Sequence, residues 1–271
     1  MKVLKFGGGC LKDATSIKKM LGILENYNQD IIIVISAFGK LTNLLENFLL
    51  SKTGNLKHIV SFLKELMTEL SLSDSDINTI LSSVPLKDDY PAKVLSFGEQ
   101  VSSDILSLYF KKKDLKHFLF DATSIIKTYD SGVTATVDLQ QTTQLFNTMK
   151  SMFFYPILTQ GYIAQFDGEE GRTITCLGRE GSDYSAAIFG YLYCAQEVIL
   201  FKDVDGVYDA DPKKEKSAKL FSNLTYAQAF KICNNKHTII HPKTINLLAE
   251  KSIPLSIRNF NNVAAPGTMI N

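Results

Sequence analysis

Arginine is nearly missing from this chain of 271 residues. Of its 29 basic residues only Arg172, Arg179 and Arg258 are arginine, and lysine fills the rest. A planar guanidinium fork grips a carboxylate or phosphate in a way an ammonium cannot imitate, so the places that keep arginine carry information. Net charge is equally scarce. At +1 the whole chain offers no electrostatic case for nucleic acid or an anionic membrane as partner. The cysteines (Cys10, Cys176, Cys194, Cys233) stand far apart and fit no metal-ligand spacing. That pattern points to free thiols in a reducing compartment and to no metal site built by the chain itself. No apolar run reaches the roughly 20 residues a membrane helix needs. The first residues run straight into a strand pattern, without the apolar core of a signal peptide. Repeats, low-complexity tracts and linkers are missing too. Together these absences predict a cytoplasmic protein with neither a membrane nor a nucleic-acid partner.

What is there begins with hydrophobic content of 45%, enough for the core of one large or two small domains. The chain turns on residues 171–187, GRTITCLGREGSDYSAA. A strand-like run, 173–177, meets a loop with Gly178 and Gly181, and an apolar helical run, 184–193, follows. Ser182 or Asp183 is expected to cap that helix. Glycines let backbone come close to a ligand, and the free N–H groups of a helix start attract anions. Two of the three arginines flank this loop. Arg179 is read as an anion ligand and Arg172 as a surface ion-pair former.

Residues 2–6, KVLKF, followed by Gly7, Gly8 and Gly9, make a second strand, glycine loop, helix unit, with the helix starting near Asp13 or Thr15. No Gly-Lys-Ser/Thr closes the loop, so it is not a Walker A loop. Lys5 sits at the strand's end, within reach of a phosphate held there. The run IIIVI at 31–35 reads as a central parallel strand buried on both faces. Ser36 follows it, at the carboxyl end where ligands gather in parallel sheets. Thr42-Asn43 are expected to cap a helix over 44–50. Residues 56–70 and 73–84 have helical spacing. Residues 95–97 are expected to lead into Gly98-Glu99 at a helix start. There Glu99 is either an ordinary capping acid or the ligand of a substrate ammonium. Residues 118–120, 157–165, 197–201 and 255–258 read as strands, and 167–171 as a hairpin turn. Residues 202–213 place Lys202, Asp203, Tyr208 and Lys213 after a buried strand, a natural nucleotide pocket. The alternation of strands and helices predicts an α/β fold on a largely parallel sheet. Residues from about 120 to 175 are expected to form a β-rich flap on the main body.

Several motifs stand in one order: KFGG at 5–8, SA at 36–37 with TN six positions on, FGE at 97–99 and TQG at 159–161. They continue with GRTITCLGREGSDYSA at 171–186, DVDGVYDADP at 203–212, HP at 241–242 and PGT at 266–268. End to end, this set resembles the aspartate kinases of the amino acid kinase superfamily. The resemblance implies a three-layer α/β/α sandwich on a mainly parallel, roughly eight-stranded sheet, the carbamate kinase-like fold. It also implies transfer of the γ-phosphoryl of ATP to the side-chain carboxylate of L-aspartate, the first step of the aspartate-family pathway. Lys5 would stabilise the transferring phosphoryl, Gly7 and Gly8 would donate backbone N–H groups, and Ser36 would lie near the reacting groups. Arg179 would clamp a substrate carboxylate, Glu99 would meet the ammonium, and Thr42 and Ser182 would assist. Asp183 would orient the lysines. Lys202, Asp203, Tyr208 and Lys213 would line the ATP pocket, with Mg²⁺ bridging the phosphates. The resemblance further implies a cytoplasmic homodimer and a single catalytic domain over 1–271, ending at PGTMIN where paired regulatory ACT domains would begin. The alternatives are a kinase of the same fold for another small acid and a non-catalytic nucleotide binder.

The chain departs from the family's pattern inside these motifs. Gly9-Cys10 stand where threonine-serine is usual, Glu180 replaces a glycine, and Thr123 stands where arginine is expected after Asp121. Thr238 replaces a lysine near the HP, with Lys236 or Lys202 as candidates to replace it. The departures bear on nucleotide affinity and rate more than on fold.

Overall fold

The computed structural model describes residues 1–27, 30–51, 56–85, 89–210, 212, 214–215, 217–234 and 239–271. Lys213, Lys236 and Thr238, singled out above, lie outside the described residues. The chain opens with β1 (Lys2–Phe6), α1 (Ala14–Leu24), β2 (Ile31–Ile35), α2 (Leu41–Leu50), α3 (Lys57–Glu69), α4 (Asp74–Ser82) and α5 (Pro91–Lys112). Next come β3 (Phe118–Phe120), β4 (Lys127–Thr128), α6 (Leu139–Met149), β5 (Ile157–Gln160), β6 (Ile163–Gly168) and β7 (Gly171–Cys176). It closes with α7 (Gly181–Tyr193), β8 (Glu197–Lys202), β9 (Asn223–Leu224), α8 (Tyr226–Cys233), α9 (Pro242–Ala249), β10 (Leu255–Asn259) and β11 (Thr268–Ile270).

Eight strands form one sheet in the order β3-β5-β2-β1-β8-β10-β11-β9. Every neighbouring pair is parallel except β10 with β11. The strand sequences explain the layers. Side chains alternate between faces along a strand, and both faces of β1, β2 and β8 are apolar. Leu4, Phe6, Ile31, Ile33, Ile35, Ile199 and Phe201 join the core under α1 to α5. Val3, Ile32, Val34, Val198 and Leu200 join the core under α6 to α9. A sheet so covered is the α/β/α sandwich that the pattern and the resemblance predict. A second sheet of three strands, β4-β6-β7, is built around the β6–β7 hairpin within the 120–175 stretch.

Four local expectations are corrected. The stretch 157–165 is two strands in two sheets, breaking at Gly161-Tyr162, where Tyr162 takes φ 67°. A Cβ on Gly161 would lie 2.6 Å from the Ser182 Cβ, so α7 presses on the break. Residues 95–99 lie inside the 22-residue helix α5, which Pro91 opens at its first turn; proline suits that position because its missing N–H would be unbonded anyway. Gly98 does not break this helix. A Cβ there would meet the Ala37 Cβ at 2.9 Å, so glycine lets α5 lie against the strand end. Thr42-Asn43 are not caps, because α2 already begins at Leu41 behind Lys40. Neither Ser182 nor Asp183 caps α7; the cap is Glu180 at φ 55°.

Candidate active site

Four parallel strands end level with one another. Phe6 pairs with Ile35 and Phe201, and Ile35 pairs with Gln160. Ser36, Gly161, Lys202 and the first glycine loop therefore sit side by side at the carboxyl edge. Strand order reverses at β1, with β2 on one side and β8 on the other, and such switch points are where open α/β sheets bind ligands.

Lys5 follows Val3, and Lys202 follows Leu200, onto the face covered by α7. Asp183, in the first turn of α7, meets both: Oδ1 lies 2.6 Å from Lys5 Nζ and Oδ2 lies 2.6 Å from Lys202 Nζ. Asp183 is wholly buried. Burial opposes its ionisation, but the ammonium groups of Lys202 and Lys5 override that and hold the carboxyl well below the usual carboxylate range. Burial likewise opposes the charge on Lys202. Asp183 and Glu180 outweigh it, and the Lys202 pKa lies above the ordinary lysine value. Lys202 also reaches Glu180 Oε2 at 3.1 Å and donates to the Ile239 carbonyl at 2.6 Å.

The glycine loop lies over this pair. A Cβ on Gly7 would stand 3.3 Å from Lys5 Nζ, and one on Gly8 would stand 2.5 Å from the Ala37 carbonyl oxygen. A side chain at Gly8 would thus drive the loop off the β2 end. Gly9 comes within ordinary contact distance of the Asp203 carboxyl. Cys10 donates from Sγ to the Phe201 carbonyl at 3.2 Å, and burial pushes its thiol up to about 11. It is a structural thiol, since the thiolate is the reactive form.

Glu99 projects from the middle of α5 to the β2 end, where Oε1 accepts from the Ala37 N–H at 3.2 Å. Burial pushes its carboxyl up to about 8, against the bond from Ala37 and the charge of Lys5. Ser36 is buried beside it, its N–H donating to the Phe6 carbonyl. Ser182 is buried against Gly161.

The remaining expected residues stand apart from this centre. Arg179 is exposed and makes no ion pair among the described residues. Thr42 is half-buried in the first turn of α2, with no side-chain hydrogen bond among them. Asp203 is exposed at the end of β8, and Tyr208 donates its hydroxyl to Asp205 at 3.1 Å. Thr123 closes a local turn, donating from both N and Oγ1 to Asp121 Oδ1. Arg172 is exposed, with Nε 3.9 Å from Asp167.

Sequence reasoning missed three contributors. Glu180 is a direct ligand of Lys202, a role hinted at only by an acid inside a glycine loop. Gln160 ties the β5 end down, accepting from Ala122 N at 3.0 Å and donating to Ser103 Oγ at 2.7 Å; a polar residue closing an apolar strand was the available signal. Ile239 contributes a carbonyl, which no side-chain pattern reveals.

The geometry can be set beside known proteins. The profile of the amino acid kinase family matches residues 1–259. The bifunctional aspartokinase/homoserine dehydrogenase of Buchnera aphidicola is 29% identical over 299 residues, covering 100% of this chain and 36% of that protein. The aspartokinase of Chlamydia muridarum is 26% identical over 283 residues, 99% of this chain and 63% of its own length. This chain thus spans between about a third and two thirds of these relatives. Among solved structures, E. coli aspartokinase III in complex with aspartate and ADP superposes with a TM-score of 0.90 at 23% identity, over 100% of this chain and 64% of that one. That likeness establishes the fold. With a family profile covering nearly its whole length and the family's sheet beneath its candidate site, the chain belongs to the amino acid kinase family.

Proposed function

We propose that the chain transfers the γ-phosphoryl group of Mg–ATP to the side-chain carboxylate of L-aspartate, yielding ADP and 4-phospho-L-aspartate. A carboxylate oxygen attacks the γ-phosphorus and the bond to the β,γ-bridging oxygen breaks. The nucleophile is already an anion, so no general base is required. The observation that carries this reading is the wholly buried Asp183 holding two ammonium groups at one carboxyl edge, beside a buried Glu99. Phosphoryl transfer asks a protein mostly for positioning and neutralisation of spreading negative charge, and this arrangement supplies both. The relatives named aspartokinase support the choice of acceptor, as does the aspartate and ADP bound by the E. coli protein.

In this reading Lys5 and Lys202 receive phosphoryl oxygens, Gly7 and Gly8 bring backbone amides to them, and Asp183 sets both lysines. Glu99 meets the substrate ammonium, with Ser36, Ser182 and Thr42 around the reacting carboxylate and Arg179 swinging in from solvent as the clamp. Asp203, Tyr208 and Lys213 border the nucleotide. Mg²⁺ enters, in this reading, as part of the Mg–ATP substrate. No helix among the described residues is long and apolar enough to cross a membrane. We further propose a cytoplasmic homodimer, checked by light scattering.

The test is turnover of the purified chain with Mg–ATP and L-aspartate, the acyl phosphate being trapped by hydroxylamine. Aspartate-dependent hydroxamate is the expected result. ATP binding without hydroxamate would refute the acceptor, and a screen of other small acids would follow.

A further inference from the structure

The ammonium of Lys202 is already surrounded by oxygens. An ammonium group has three donors and no more. Nζ of Lys202 has three acceptors around it: Asp183 Oδ2 at 2.6 Å, the Ile239 carbonyl at 2.6 Å and Glu180 Oε2 at 3.1 Å. A phosphate oxygen approaching Lys202 must compete with these three oxygens. Asp183 is wholly buried between two cations, and its departure would strand Lys5. The Ile239 carbonyl is backbone beside helix α9. Glu180 makes the longest of the three contacts, and its side chain is 29% exposed, so it can leave into water.

The backbone gives a second, independent reason to single out this residue. Glu180 holds φ 55° and ψ 22° at the start of α7. That left-handed conformation is easy for glycine and strained for an L side chain. Strain of this kind persists where the surroundings over-determine it, often at functional sites. Here it aims a carboxylate across the first turn of α7 onto the lysine.

We infer that Glu180 is a built-in phosphate surrogate, a carboxylate that occupies Lys202 until a nucleotide phosphate displaces it. It thereby sets nucleotide affinity without taking part in the transfer. The inference rests on the kinase reading above and deepens it. In the nucleotide-bound state Glu180 is out in solvent, so its removal should lower the KM for Mg–ATP far more than it changes the aspartate KM. A purely structural role would not produce that split.

The experiment is calorimetric titration of Mg–ATP into the wild-type chain, Glu180→Gln and Glu180→Gly, followed by steady-state kinetics on all three. Gln keeps the size and removes the charge; Gly removes the side chain and the strain together. Releasing a charge-assisted contact should tighten Mg–ATP binding about tenfold in both variants. Unchanged or weaker binding in both variants would overturn the inference. A gain in Glu180→Gly alone would assign the effect to backbone relief and overturn it as well. Failure of all three proteins to bind Mg–ATP would bring down the kinase reading and this inference together, whereas equal binding by all three would sink this one alone.

Discussion

Strands β1 and β8 carry a charge cluster at each end, and the two clusters have the same ingredients. At the carboxyl end Asp183 takes two cations, Lys5 and Lys202. At the amino end Glu197 takes two cations, Lys2 at 2.6 Å and Arg258 at 3.7 Å. Cavities of similar size lie towards the two ends: about 520 Å³ beside Gly8, Gly9, Lys12 and Lys40, which none of the three clustered charges lines, and about 490 Å³ beside Lys2, Tyr27, Asp30 and Arg258. What differs is water and backbone. The side chains of Lys2 and Arg258 are 38% and 32% exposed, those of Lys5 and Lys202 only 7% and 14%. Glu197 also has a private hydroxyl, Ser256 Oγ at 2.5 Å. Glycines bring bare backbone up to the carboxyl-end cluster, and no glycine lines the cavity at the other end. A carboxylate between two cations does not by itself make a site. Desolvated charge beside approachable backbone does.

The comparison breaks most sharply at Asp183. Replacing it by Asn leaves Lys5 buried with no charge to answer it and Lys202 with Glu180 alone. Breaking a buried ion pair by removing one partner typically costs about 3–5 kcal/mol. Asp183→Asn should lose a stability of that order in urea unfolding and lose hydroxamate formation with it. Stability within 1 kcal/mol of wild type, on the ~0–1 kcal/mol scale of an exposed pair, would erase the distinction between the two ends.

Arg179→Lys comes next. In the role proposed above, Arg179, exposed and without an ion pair among the described residues, acts only once substrate is bound. Loss of a bidentate clamp should raise the aspartate KM about 30-fold, roughly 2 kcal/mol, with the ATP KM little changed. An aspartate KM that does not move would remove Arg179 from the acceptor site.

Glu99 offers a smaller, pH-dependent effect. Its carboxyl is raised from 4.5 to about 8, so near neutrality the buried group is mostly protonated, while a substrate ammonium prefers the carboxylate. Aspartate affinity should therefore rise with pH up to about 8, by at most about tenfold per unit, and Glu99→Gln should flatten that rise. The stability sign runs the other way. Between 4.5 and about 8 the folded chain keeps a proton that the unfolded chain has lost, so the contribution of Glu99 is present at low pH and fades as pH rises. Unfolding free energies of wild type and Glu99→Gln should diverge in favour of Gln across that window; parallel curves would reject the raised value.

The parts of this molecule legible in its sequence were those written locally. IIIVI at 31–35 and EVILF at 197–201 could be buried only on both faces, and the three layers follow from that. Of the two helix starts the sequence offered, Asp13 and Thr15, Asp13 is the cap of α1, and Ser16 answers it. Glu99 was misjudged because VLSFG reads as a strand end; its glycine serves packing against Ala37, a contact 61 residues away that no local pattern encodes. The Asp183–Lys5–Lys202 centre joins residues as much as 197 apart, and only the ordered set of motifs brought them together before the fold did. Glu180 escaped notice as a ligand because its meaning lies in a dihedral angle and in a count of hydrogen-bond donors.

The smallest effect is expected where the comparison is most exposed to failure, at Glu197. Gln at that position keeps the acceptor for Ser256 and removes the charge from two partly exposed cations. Glu197 is itself buried, but both cations face solvent, which draws the pairs toward the ~0–1 kcal/mol of exposed ones, further reduced by salt. Glu197→Gln should thus unfold within about 1 kcal/mol of wild type and keep its Mg–ATP and aspartate KM values, because nothing at the amino end of β8 touches the carboxyl edge. Raising the salt concentration should shrink even that difference, whereas the deficit of Asp183→Asn, set by buried charge, should persist. If Glu197→Gln instead lost activity at unchanged stability, the two ends of β1 and β8 would be coupled through the strands, and the site would extend the full height of the sheet.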